Sequence, residues 1–72
     1  MRHLYQLNAK IGETEMRYVA IFDTMEAAME RVEKLRNNIC ISVESAYVWI
    51  LTKKGHEYEC DLLDESQRIK VV

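Results

Sequence analysis

Four side chains of this sequence belong to the types that bind zinc or pair a nucleophile with a base: His3, Cys40, His56 and Cys60. Zinc sites set such ligands only a few residues apart, or bring together several such close pairs. His56 and Cys60 share one face of a strand-like segment, but four residues of extended chain hold them about 13 Å apart. That distance prevents chelation of one ion by a local pair, and it prevents the histidine from taking a proton from the thiol. No spacing ties Cys40 to either histidine. The chain has no glycine-rich phosphate loop, nucleophile elbow or zincin helix. The expectation is a non-catalytic protein with no metal and no cofactor, whose thiols pack as small apolar groups. A small enzyme working through Cys40 or Cys60 is a more distant alternative, which thiol alkylation without loss of function would exclude.

The next feature that could bind something is an acidic row. Glu57, Glu59 and Asp61 project from one face of an extended segment at about 6.6 Å intervals, close to the spacing of successive phosphates. Such a row can supply charge to a basic surface on a partner and compete with nucleic acid for it. The ordinary reading is a solvated strand face whose charges keep a sheet edge from aggregating. The net charge of -2 favours that reading, because nucleic-acid mimics are far more acidic. The same charge, with no basic excess, argues against direct nucleic-acid binding.

A third candidate is aromatic. In Ala46–Thr52, Val48 and Ile50 share one strand face and Tyr47, Trp49 and Leu51 the other. If a helix covers the first face, the second is left open as an interface, and Tyr and Trp are frequent interface hot spots. The alternatives are that Trp49 anchors the core beneath the helix, or that the last strands curl over it. Sheet-based RNA readers also display aromatics, with basic residues beside them and glycine-containing signatures; this chain lacks those signatures, and Lys53-Lys54 is the only basic pair nearby.

The elements that position these residues follow from periodicity. His3–Ile11 alternates Tyr5, Leu7, Ala9 and Ile11 against Gln6, Asn8 and Lys10, which is a half-buried strand. Gly12–Glu15 reads as a turn. Met16–Phe22 is apolar on both faces, the pattern of a central strand. Asp23 reads as a helix cap with Glu26 at the reciprocal position. Met25, Ala28, Met29, Val32 and Leu35 then form one stripe of an amphipathic helix. Asn37-Asn38 ends it, since asparagine tolerates a left-handed cap. Ile39–Val43 is a short strand or connector. Lys53-Lys54-Gly55 reads as a turn, followed by alternation through Leu62 and a last short strand at Arg68–Val72.

The expected fold is α+β, in the order ββαββ: an antiparallel sheet of four to five strands with one amphipathic helix on one face, as a single domain over residues 1–72. A chain this short buries about 60% of its unfolded surface, so 49% hydrophobic residues are either packed efficiently or partly reserved for a partner. Two cysteines are too few for a secreted disulfide scaffold. The N-terminus lacks the apolar run of a signal peptide, and the longest apolar run, Ala46–Leu51, is far short of the roughly 20 residues that span a membrane. A cytoplasmic location is expected.

Leu4-Tyr5-Gln6-Leu7 as an opening strand, and Tyr18-Val19-Ala20-Ile21-Phe22 running directly into Asp23-Thr24-Met25-Glu26-Ala27-Ala28, make the first half of the chain resemble the short ββαβ proteins of phages and prophages. That size class includes anti-CRISPR and other host-takeover inhibitors. The resemblance implies action by binding a host or defence protein. The partner-binding residues expected from the chain itself are Tyr47, Trp49 and Leu51 as an apolar anchor, with Glu57, Glu59 and Asp61 as an acidic rim. The alternative is a homodimer joined through the uncovered sheet face.

Overall fold

A computed structural model of the chain describes residues 3–12, 17–59 and 67–72. Its elements are β1 (His3–Ile11), β2 (Arg17–Phe22), α1 (Met25–Asn37), β3 (Val43–Lys54), β4 (Glu57–Glu59) and β5 (Arg68–Lys70). The fold is α+β, with one helix and one antiparallel sheet among the described residues. The strands lie in the order β2-β1-β3-β4, and β5 also pairs with β3. β4 lies opposite Thr52–Lys54 and β5 opposite Tyr47–Trp49, so both occupy the same edge of β3.

Alternation in β1 places Leu7 and Ala9 in the core at 0% exposure. They meet Ala20 and Tyr18 of β2 on one side, and Val48 and Ala46 of β3 on the other. Ala28, Val32 and Leu35 of α1 join the same core cluster. A helix of 13 residues is marginal alone, so the burial of this stripe is what holds it. Arg31 adds a tie to β2. Its guanidinium lies 5.9 Å from the Tyr18 ring centre and 5.6 Å from that of Phe22, and it donates to the Tyr18 hydroxyl.

The strand that reads as central is an edge among the described residues. β2 pairs only with β1 among the described residues, and Val19 and Ile21 stand 53% and 57% exposed. β1, with its polar Gln6, Asn8 and Lys10, takes the interior position instead. Apolar residues on both faces of a strand do not specify which of its edges are paired.

The ends of α1 also differ from the expectation by small shifts. Thr24, one residue past Asp23, is the N-cap, and its hydroxyl accepts from the Ala27 amide at 3.1 Å. Glu26 therefore stands one position short of the reciprocal site. At the other end Asn38 is extended (φ −80°, ψ 114°), not left-handed. Its N–H reaches the Leu35 carbonyl, and its Oδ1 accepts from the Cys40 amide at 2.9 Å, closing a side-chain turn. Thr24→Ala is expected to cost about 1 kcal/mol in urea unfolding, and Glu26→Gln less than half of that. Equal losses would restore the capping box.

Candidate functional site

Register sorts the strands into two faces. Directly paired residues of an antiparallel ladder project to the same side. Leu7, Ala9, Ala46 and Val48 share the core cluster with Ala28, Val32 and Leu35 of α1. The opposite face is built from Leu4, Gln6, Asn8 and Lys10 of β1, Arg17, Val19 and Ile21 of β2, and Ser45, Tyr47, Trp49, Leu51 and Lys53 of β3. Tyr58 joins them through Lys53, Arg68 through Trp49, and Lys70 through Tyr47.

The expected anchor is thus on one face, but its members are unequal. Tyr47 and Trp49 are half-buried on an interior strand. Leu51 is only 8% exposed beside Leu4, so it supports the face from within. The most exposed apolar side chains here are Val19 and Ile21, on the strand that alternation assigns to the sheet interior. The indole Nε1 of Trp49 and the Nδ2 of Asn8 are buried with no hydrogen-bond partner among the described residues.

Glu57 and Glu59 of the expected acidic rim are not on this face. The β3–β4 connection is the two-residue turn Gly55-His56, with Lys54 opposite Glu57 and Thr52 opposite Glu59. Gly55 has φ 64°, which a hairpin turn with glycine first requires. Glu57 and Glu59 therefore share the side of Thr52 and Lys54, which by alternation is the side of Val48. Lys54 Nζ lies 3.7 Å from Glu59 Oε2, an exposed pair of small energetic weight. Asp61 and Cys60 lie outside the described residues.

What surrounds Tyr47 and Trp49 is basic. Lys10, Arg17, Lys53, Arg68 and Lys70 all occupy strand positions on this face, and no carboxylate does among the described strand pairs. The Arg68 guanidinium sits 6.0 Å from the Tyr47 ring centre. Lys10 is engaged by Glu44, 3.3 Å away, at the point where the β1–β3 register shifts. The net charge conceals this segregation, because α1 is itself neutral and the offsetting acids, among them Asp23, Glu44, Glu57 and Glu59, lie in other segments. The signal that could have found Arg68 and Lys70 is their alternation with Ile69.

Cys40 is exposed and free, while the His3 ring Nδ1 lies 3.3 Å from the Thr52 hydroxyl. Among the described residues no group of three or more His, Cys, Asp or Glu is arranged to hold a metal ion. No helix among them is long and apolar enough to cross a membrane. No protein-family model, curated protein or solved structure matches this chain.

Proposed function

We propose that this domain is a non-catalytic protein-binding module whose docking surface is the sheet face turned away from α1. In this reading the ββαββ frame, with its helix on one side, exists to leave that face open. The observation that carries it is the exposure of Val19 and Ile21 on the same face as Tyr47 and Trp49, across Asn8 and Gln6 of β1, within a frame of five cations. An apolar patch rimmed by one sign of charge fits an acidic protein surface, with the apolar centre supplying affinity and the cations orientation and rate. Together with the likeness to phage proteins, this supports an inhibitor that occludes an acidic site on a host or defence protein. A nucleic-acid platform is the weaker reading, because aliphatic Val19 and Ile21 offer no ring on which a base can stack.

Affinity capture from the native host tests the proposal, with wild type, Trp49→Ala and the double variant R68E/K70E as baits. A captured partner should be lost with either variant and released by salt. On the identified partner, Trp49→Ala should weaken binding about thirtyfold, the level of a hot spot. R68E/K70E changes only exposed side chains, so its melting should match wild type and keep the test decisive if Trp49→Ala unfolds. Retention of the partner by R68E/K70E sinks the reading. So does tight binding of a single-stranded oligonucleotide that quenches Trp49 fluorescence.

A further inference from the structure

The two edges of the sheet are treated differently. On the β3 side the edge is made of β4 and β5, each three residues long, carrying Glu57, Glu59, Arg68 and Lys70. Short, charged strands of this kind block edge-to-edge pairing. On the other side, β2 offers six consecutive residues, Arg17–Phe22, with no proline, no lysine and no bulge. Such an edge is a template for another strand.

The β2 edge also has a chemistry that selects its occupant. Two antiparallel copies of one strand in one sheet are related by a two-fold axis perpendicular to the sheet, so each pairing centres on a residue. With Ala20 on the axis, Val19 faces Ile21 of the second copy and Tyr18 faces Phe22. Arg17 faces Asp23, and each of these pairs occurs twice. The segment Arg17-Tyr18-Val19-Ala20-Ile21-Phe22-Asp23 reads the same in either direction by residue class, except that its charged ends are opposite: cation, aromatic, β-branched, alanine, β-branched, aromatic, anion. Neighbouring registers lose this match. Centring on Val19 sets Arg17 against Ile21, and centring on Ile21 sets Val19 against Asp23. Neither Arg17 nor Asp23 belongs to the ion pairs formed among the described residues, which are Lys10–Glu44 and Lys54–Glu59.

We infer that β2 is a self-recognition edge, and that two copies of this chain join through Arg17–Asp23 with Ala20 on the two-fold axis. The product is one sheet continuous across both chains. Because the axis is perpendicular to it, both helices lie on one side and both open faces on the other. The pairing shares Arg17, Val19 and Ile21 with the open face, whereas Trp49, Arg68 and Lys70 belong to that face alone.

Charge exchange tests the register. Arg17 and Asp23 are exposed, so R17D and D23R should fold as wild type does. Alone, R17D sets carboxylate against carboxylate at both ends of the pairing, and D23R sets guanidinium against guanidinium there. Each should weaken the dimer on the order of tenfold in sedimentation equilibrium. Mixed in equal amounts, the two variants should associate more tightly than either does alone. In that heterodimer the all-acidic strand of R17D lies along the all-basic strand of D23R, and every charge meets its opposite. The chain carrying both changes should also recover. In wild type, amide exchange across β2 should slow as protein concentration rises, a readout that needs no variant. A wild type that stays monomeric with concentration-independent exchange overturns the inference. A dimer indifferent to R17D and D23R, or a mixture that fails to associate better than either variant, overturns it as well. Trp49→Ala should leave self-association unchanged, which separates this result from the fate of the open face.

Discussion

Leu7→Ala should remove most of the stability of this domain. Leu7 is 0% exposed and lies between Ala20 of β2 and Val48 of β3, at the centre of the cluster that receives α1. Deleting a buried leucine typically costs about 2–5 kcal/mol, through lost burial and the cavity left behind. A domain of this length has a reserve of roughly 4–11 kcal/mol. The cavity would have little means of closing, because both cross-strand neighbours are held by ladders and one is already an alanine. Leu4→Ala on the same strand is the control. Leu4 is half-buried on the open face and should cost less than half as much. Urea midpoints at one fixed protein concentration check both, since any dimer adds a concentration term. Equal losses would move the core to the other face.

Local order was largely legible. The alternation of Tyr5, Leu7, Ala9 and Ile11 specifies β1 because side chains on a strand repeat every two residues. Met25 to Leu35 specify α1 because one helical stripe must find an apolar surface. Location within the sheet was not legible. β1 pairs with β3 across a long separation in sequence (His3 with Thr52), and nothing local to β1 announces that partner. β2 misleads for a related reason. Its Val19 and Ile21 are apolar on the far face, which suggests an interior strand, while its outer edge has no described partner. If β2 pairs with a second copy, the bare edge becomes an interior position in the assembled sheet.

The acidic row shows how one residue in a turn decides a site. Alternation of Glu57 and Glu59 with Tyr58 is visible in the sequence, but its phase relative to Trp49 is not. A turn over Lys53-Lys54-Gly55 pairs Thr52 with His56 and puts the acids on the Trp49 side. The observed turn over Gly55-His56 pairs Lys54 with Glu57 and sends them to the other. Hairpin loop length sets register, and a shift by one residue reverses every side chain. The same logic exposes the basic frame: Arg68 and Lys70 acquire meaning only once they are known to pair with Trp49 and Tyr47.

Ala46→Leu should destabilise the domain by about 1–3 kcal/mol although it adds apolar surface. Ala9, Ala28 and Ala46 are each 0% exposed and belong to one cluster, and Ala9 and Ala46 are direct cross-strand partners. Small side chains at these points let sheet and helix approach closely, and an interior at native density has no room for a leucine's added carbons. Ala46 is also bound through its backbone. Its carbonyl accepts from the Val71 amide at 2.9 Å and the Val72 amide at 3.3 Å, so a shift of β3 would loosen the C-terminal segment too. Ala27→Leu makes the comparison, because Ala27 lies on the same helix as Ala28 but is half-buried, and leucine there can turn toward solvent. Its expected effect is within about 0.5 kcal/mol. A stabilised Ala46→Leu would mean that the helix stands further from the sheet than the burial of these alanines requires, and the core drawn around Leu7 would then be too tight.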